Sequence, residues 1–256
     1  MNKKDLRIVY MGTPEFAVEP LKRLVEEGYN VVGVVTMPDK PAGRGQHLQE
    51  SPVKKYALEE DIPILQPEKL RDEDFLVQLK MWQADIQVVV AFRMLPEVVW
   101  NMPRLGTFNL HASLLPQYRG AAPINWAIIN GEKETGVTTF FLKHEIDTGN
   151  IILQRSTPIH DEDNVGTLYD RLMNMGADLV VETMERITMG DVSTIPQDDS
   201  VAVNPAPKIF KEDCKINWNK SAVELHNFVR GLSPYHAACT EEKNEKDQAL
   251  SIKGLE

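Results

Sequence analysis

The chain has 256 residues, of which 42% are hydrophobic and 26% charged, with a formal net charge of −10. This is ordinary composition for one large or two modest globular domains, and with two cysteines it excludes a disordered chain, a collagen-like fibre and a disulfide scaffold. The acidic balance excludes a globally basic nucleic-acid binder. A local basic surface stays open, because residues 205–256 hold 8 basic and 8 acidic side chains.

The beginning of the chain does not have the pattern of a signal peptide. Residues 1–5 are polar and charged and lead directly into an apolar run. The longest purely apolar runs, such as residues 88–92, are far too short to span a bilayer. We therefore expect a cytoplasmic protein with reduced thiols and no membrane partner. We also expect a monomer, although no sequence feature determines the oligomeric state.

Apolar runs alternate with amphipathic stretches in the first half of the chain. Strands are predicted over residues 6–11, 31–35, 62–65, 86–91 and 105–110, and helices over 17–27, 51–60 and 72–82. Thr13 is predicted to cap the first helix, with Pro14 in its first turn. A loop rich in Pro, Gly and basic residues is predicted from Met37 to Gln49.

The second half continues the alternation before it becomes polar. A helix is predicted over 123–129, strands over 137–142 and 150–157, and helices over 167–189 and 222–229. The pattern predicts an α/β fold with a doubly wound, mostly parallel sheet. We expect a catalytic domain over 1–190, a linker over 191–207, and a C-terminal domain over 208–256.

The densest site signal is the segment Asn-Leu-His-Ala-Ser-Leu-Leu-Pro at residues 109–116. Strand alternation places Asn109 and His111 on one face, at the carboxyl end of a buried strand, where open α/β sheets bind their ligands. An amide and an imidazole there suit a carbonyl that becomes an oxyanion. The alternative is that both are hydrogen-bonded turn residues without a catalytic role.

A carboxylate in the turn Asp147-Thr148-Gly149 is the second signal. Its glycine marks a tight turn after a strand, so Asp147 is expected to project over the same edge and hold His111 in orientation. Plain turn chemistry is the alternative. No metal site is predicted, because the cysteines are isolated and His144-Glu145 lacks the second histidine of a zinc protease.

Residues 109–120, Asn-x-His-x-Ser-Leu-Leu-Pro-x-x-Arg-Gly, and the downstream Asp-Thr-Gly resemble the formyltetrahydrofolate-dependent formyltransferases. The resemblance covers about residues 5–235 and implies a Rossmann-like catalytic domain that consumes 10-formyltetrahydrofolate as co-substrate. It implies that Asn109, His111 and Asp147 are catalytic. By the same resemblance the folate site is bordered by Ser113, Leu114, Leu115 and Pro116, with a cis bond before Pro116 and pterin contacts from the backbone near residues 90–95.

Two further segments resemble the members of this family whose acceptor is methionyl initiator tRNA. Residues 38–45 resemble a loop that enters the tRNA acceptor arm, and residues 206–218 resemble the entry to the C-terminal domain. The resemblance implies tRNA contacts by Lys40 and Arg44 in the first segment and by Lys208 and Lys211 in the second. The alternative for both segments is a solvated charged surface.

Other functions stay open at this point. Residues 118–120 and 123–126 also resemble formyltransferases that act on amino-sugar nucleotides, and a non-catalytic folate- or RNA-binding module is a third possibility. The family's second domain is a small β-barrel, but after residue 235 the sequence becomes polar and too few strands are predicted to close one. We therefore expect a short, incomplete barrel-type domain that leaves small-molecule chemistry intact.

Overall fold

The computed structural model describes residues 2–42, 47–201, 204–243 and 249–253. The chain divides into two compact units whose segments interleave along the sequence. Unit 1 comprises Met1–His111, Val137–Gln154 and Met173–Gln197, and unit 2 comprises Ala112–Gly136, Arg155–Leu172 and Asp198–Glu256. The expected boundaries at residues 190 and 208 follow the linear sequence and stay a prediction.

The strands of the described residues, in chain order, are β1 (Arg7–Gly12), β2 (Asn30–Val35), β3 (Lys40–Ala42), β4 (His47–Gln49), β5 (Ile64–Leu65), β6 (Ile86–Val90), β7 (Thr107–His111), β8 (Glu134–Phe141), β9 (Ile151–Pro158), β10 (Cys239–Lys243) and β11 (Ala249–Lys253). The α-helices are α1 (Val18–Glu26), α2 (Pro52–Glu59), α3 (Glu73–Met81), α4 (Glu97–Trp100), α5 (Pro123–Ile129), α6 (Val165–Met189) and α7 (Ala222–Arg230).

Seven of these strands form one sheet in the order β5-β2-β1-β6-β7-β8-β9. The pairs β2–β5, β1–β2, β1–β6 and β6–β7 are parallel, and β7–β8 is antiparallel. The chain order reverses direction across the sheet between β1 and β6, as in doubly wound folds. The prediction of a Rossmann-like, mostly parallel sheet is confirmed.

The centre of the sheet is apolar on both faces. Every residue of β6 is buried, as are five of the six residues of β1, which is the pattern of parallel strands covered by helices on each side. One core cluster joins these strands to α3 and α4 through Val9, Met11, Val35, Leu70, Phe75, Leu79, Val89, Leu95 and Val99. At Gly33 of β2, a Cβ would lie 2.6 Å from ring atoms of Trp82, so glycine is needed for that ring to lie on the strand.

Two helices begin at the residues where the sequence predicts their start, and a third departs from its predicted cap. Ser51 Oγ accepts from the Lys54 amide of α2 at 3.0 Å, and Asp72 Oδ1 accepts from the Phe75 amide of α3 at 3.2 Å. The prediction that Thr13 caps the first helix was wrong. A short 3₁₀ turn at Glu15–Ala17 precedes α1, and the buried Thr13 Oγ1 has no partner among the described residues.

Two segments that were predicted to be irregular contain hairpins. Within the expected loop at residues 37–49, β3 pairs antiparallel with β4, with Lys40 opposite Gln49. In the polar end, β10 pairs antiparallel with β11. Both were missed because their strands are only three to five residues long, and because only β11 among them shows the apolar alternation of a strand with one buried face.

Unit 2 holds a small apolar cluster beside α5 and α7, with Ile209, Cys214, Ile216, Leu232 and Ala238 at its centre. Part of the predicted linker is tied to this unit by backbone hydrogen bonds. The amides of Tyr118 and Ala122 donate to Asn204 O and Ala206 O, and the Ala206 amide donates to Arg119 O.

Glycine is required where these two segments meet. Gly120 has φ +127°, and a Cβ there would lie 2.4 Å from Ala206 O. Residues 204–206 are therefore packed against residues 118–122. The helices in the described parts of the chain include none that is both long enough and apolar enough to cross a bilayer.

Candidate active site

Strand β7 separates a packing face from a site face. Leu110 faces α6, where a Cβ on Gly176 would lie 2.7 Å from Leu110 Cδ2. Opposite Leu110, Thr139 of β8 shares a hydrogen bond of 2.8 Å with Thr183 of α6. Because side chains alternate along a strand, Asn109 and His111 point to the face of the sheet away from α6. The structure therefore brings these two predicted site residues together on one surface of unit 1.

The Asn109 amide is not fully satisfied within the protein. Its Oδ1 is buried and has no hydrogen-bond partner among the described residues. A buried amide oxygen without a partner costs about 1–3 kcal/mol of stability. A polar group kept at that cost is more typical of a functional site than of a packed core.

His111 ends β7 and is 7% exposed. The residue directly opposite it on β8 is Thr138, whose Oγ1 accepts from Gln154 Nε2 at 3.0 Å. Opposed residues of an antiparallel pair lie on the same face. Thr138 and Gln154 therefore lie beside the imidazole, and the sequence analysis did not identify either of them as part of the site.

Asp147 lies in the connection between β8 and β9, in a tightly folded turn. Its φ is +56°, a left-handed conformation that aspartate tolerates better than most residues. Two residues later, a Cβ on Gly149 would lie 1.5 Å from the carbonyl oxygen of Phe141. Only glycine allows the turn to fold this closely against the end of β8.

The antiparallel direction of β8 changes how Asp147 can reach His111. Because Phe141 lies opposite Phe108, the connection leaves the sheet near the amino end of β7. His111 is three residues further along β7, about 10 Å at a strand's rise per residue. The predicted pairing of Asp147 with His111 therefore requires the nine residues 142–150 to run back along the sheet, and it stays a prediction.

Gln197 fixes the backbone of this turn and had no sequence signal. Its Nε2 donates to Asp147 O at 2.7 Å and to Gly149 O at 2.8 Å. Gln197 is brought to the turn by the nearby Ile195, which exchanges backbone hydrogen bonds with Ile151 at the start of β9. A glutamine fifty residues from the turn, in a polar stretch, gives no indication of this role.

We expect Gln197→Ala to lower kcat about tenfold, because the turn that carries Asp147 loses both donors and its carboxylate is less well placed. The Q197E variant keeps the length of the side chain but turns an acceptor toward two carbonyl oxygens, so its loss should be larger. Single-turnover rates measure both effects. Equal activity in the wild type and the Q197E variant would contradict this role.

The segment after β6 forms a second fixed turn at the carboxyl edge of the sheet. Ala91 is exposed with φ +45°, and Arg93 bridges to the connection after β5 by donating to the carbonyl oxygens of Glu68, at 2.7 Å, and Pro67. Burial lowers the pKa of the Arg93 guanidinium. Backbone near residues 90–95 is therefore held in place, as the expected pterin contacts require.

The predicted folate segment at residues 113–116 begins two residues after His111 and belongs to unit 2. The peptide bond between Leu115 and Pro116 is cis, so that expectation is confirmed. Ser113 is fully buried and its Oγ donates to Gln117 O at 2.7 Å, which closes the turn. Leu115 is 3% exposed, whereas Leu114 and Pro116 are half-buried and keep surface for a ligand.

The residues predicted to contact tRNA are exposed where they are described. Lys40 is exposed at the start of β3 in unit 1, and Arg44 lies outside the described residues. In unit 2, Lys208 and Lys211 are exposed, and Lys208 Nζ lies 5.3 Å from the centre of the Phe210 ring. A cation beside an exposed aromatic ring is a common element of nucleic-acid surfaces. Their contacts with tRNA stay a prediction.

The described residues contain no group of three or more His, Cys, Asp or Glu side chains arranged to hold a metal ion. The chemistry that the site residues offer is hydrogen bonding and proton transfer.

Comparison with known proteins identifies two family matches. The formyl transferase family model matches residues 6–184, and the model of the formyl transferase C-terminal domain matches residues 208–255. The expectation that the resemblance ends near residue 235 was therefore wrong. The charged residues at 241–247 explain why the sequence pattern alone did not extend that far.

The chain is similar to full-length relatives and to solved structures. A methionyl-tRNA formyltransferase from Bacteroides fragilis is 64% identical over 259 residues, covering 100% of this chain and 80% of the relative. Another, from Phocaeicola vulgatus, is 67% identical over 246 residues, covering 94% of this chain and 76% of the relative. A crystallised sugar 3N-formyl transferase has a TM-score of 0.68 and 24% identity over 88% of this chain and 78% of that chain, a likeness that shows the fold alone.

Proposed function

Because this chain belongs to the formyl transferase family, we propose that it transfers the formyl group of 10-formyltetrahydrofolate to the α-amine of methionyl initiator tRNA. The observation that carries this proposal is identity above 60% to methionyl-tRNA formyltransferases over 94–100% of the chain. The placement of Asn109 and His111 on one face of β7 supports it. The activity belongs to the initiation of translation, which places the reaction in the cytoplasm.

The reaction is a direct acyl transfer between two nitrogen atoms. The neutral amine attacks the formyl carbon, the carbonyl oxygen becomes negative, and the bond from that carbon to N10 of the folate then breaks. The amine loses one proton and N10 gains one. An α-amine has a pKa of roughly 8, so about a tenth of it is already neutral at pH 7 and no strong base is needed to generate the nucleophile. Most of the barrier lowering must therefore come from positioning and oxyanion stabilisation.

Asn109 and His111 supply the two interactions that this path needs. The Asn109 amide nitrogen donates to the developing oxyanion. His111 donates a strong hydrogen bond or a proton to the same oxygen. Asp147 orients the imidazole and helps to remove the amine proton. These roles need no metal ion. The folate is consumed as a co-substrate, and we propose that the enzyme acts as a monomer.

The choice of acceptor is the decisive test of this function. Purified protein is incubated with 10-formyltetrahydrofolate and either charged initiator methionyl-tRNA or a 4-amino sugar nucleotide. We expect formylation of the tRNA alone. Transfer to the sugar nucleotide alone would establish the alternative acceptor, and transfer to neither would leave a non-catalytic binding module.

Arg44 is expected to contact the phosphate backbone of the tRNA. Arg44→Ala should raise KM for tRNA and reduce the slope of log KM against log salt by about 0.7 to 1, the loss of one phosphate contact. Initial rates at four or five salt concentrations measure the slope. An unchanged slope would show that this arginine does not touch the backbone.

A further inference from the structure

One side chain joins the two ends of the β3–β4 hairpin. Lys54 Nζ lies 2.5 Å from Asp39 Oδ2 and 2.9 Å from Glu50 Oε1. Asp39 immediately precedes β3, and Glu50 immediately follows β4. A single ammonium group on the first turn of α2 therefore connects the point where the chain enters the hairpin with the point where it leaves.

A second set of contacts holds the same base. Gln66 Nε2 donates to Asp39 Oδ1 at 2.8 Å and to Met37 O at 2.9 Å. Thr36 Oγ1 and Ser51 Oγ share a hydrogen bond of 2.8 Å, and Ser51 also caps α2. The base of the hairpin is thus tied to β5 on one side and to α2 on the other.

The positive charge of Lys54 is neutralised by carboxylates of the protein itself. Its side chain is 15% exposed and lies between two carboxylates. Hydrogen bonds from Lys54 and then Gln66 lower the pKa of the Asp39 carboxyl, and bonds to Asp39 and then Glu50 raise the pKa of the Lys54 ammonium. Asp39 and Lys54 therefore stay ionised at neutral pH. The lysine is a poor candidate for a phosphate ligand because two carboxylates already hold its ammonium group.

We propose that Lys54 is a positioning residue for the acceptor: by joining Asp39 to Glu50 it fixes the direction of the β3–β4 hairpin relative to α2, so that exposed cations such as Lys40 meet the tRNA in one orientation. This inference rests on the proposed function above. It assigns to Lys54 a role in acceptor recognition without contact to the acceptor.

The test compares Lys54→Met, Lys54→Arg and the control Lys55→Met, an exposed neighbour on the same helix. We expect K54M to raise KM for tRNA about fivefold to tenfold, the effect of losing two partly exposed ion pairs. The kcat at saturating tRNA, the KM for the folate and the salt slope should stay at their wild-type values. K54R should restore most of the affinity, because it keeps the charge between the two carboxylates.

Hydrogen exchange of residues 40–49 in the protein without substrates provides a readout besides activity. K54M should speed exchange at this hairpin, and K55M should leave it unchanged. A K54M variant with wild-type exchange and a salt slope reduced by about one would show that Lys54 is a phosphate ligand and overturn the inference. If the wild-type chain formylates no tRNA, the proposed function fails, and the exchange comparison still decides whether Lys54 holds the hairpin.

Discussion

Asn109→Ala should lower kcat/KM by two to three orders of magnitude, a loss of about 3 kcal/mol of transition-state stabilisation, without destabilising the protein. The rate falls because one donor to the developing oxyanion is removed from a preorganised site. Stability should hold or rise, because the variant also removes a buried amide oxygen that has no partner among the described residues. His111→Ala should cause a similar loss of rate.

The control for these variants is Thr139→Val, on the strand beside β7 but on the face toward α6. It removes the buried hydrogen bond to Thr183 and should cost about 1–2 kcal/mol of unfolding free energy, with wild-type kcat/KM. Denaturant unfolding and formyl-transfer rates are measured on all three variants. Near-wild-type activity in both N109A and H111A would exclude the assigned roles, as would a rate loss that only follows loss of stability.

Gly149→Ala is expected to lower kcat about a hundredfold. A Cβ at this position would lie 1.5 Å from Phe141 O, so the backbone of the turn must move by more than an ångström. Asp147 is two residues away and moves with it, and a displacement of that size at a catalytic group costs about two orders of magnitude in rate.

Gly190→Ala is the matched control. Gly190 follows α6 with φ +73°, and a Cβ there would have no atom within 4 Å. The substitution introduces backbone strain of about 1–2 kcal/mol without a clash near the site, so stability should fall slightly and kcat should not change. A G149A variant with wild-type kcat would show that the turn does not need this geometry.

The fold could be predicted from the sequence where the physics is local. The buried runs that form β1 and β6 are mostly apolar segments. Ser51 and Asp72 cap their helices as their positions indicate. Thr13 failed because a 3₁₀ turn begins where an α-helix was expected. The hairpins failed because their strands are short and are held by pairing with each other, helped at β3–β4 by ion pairs of Lys54, and the hydrophobic pattern shows neither kind of contact.

The candidate site residues also differ in whether local sequence patterns could predict them. Asn109 and His111 are two residues apart on one strand, so alternation alone predicts that they share a face. Gln197 and Lys54 act through partners that the sequence does not indicate, the carbonyl oxygens of a distant turn and two carboxylates that flank a hairpin. The relation of Asp147 to His111 depends on the path of a nine-residue connection, which no periodicity specifies.

The packing of residues 204–206 against residues 118–122 has a consequence for chimaeras between members of this family. A crossover placed within residues 198–206 would pair one parent's segment with the other parent's Gly120 turn, where the approach to Ala206 O leaves no room for a side chain. A junction after Pro207 keeps both sides of this contact from one parent. Exchange of C-terminal segments should therefore give folded hybrids when the splice lies beyond that proline.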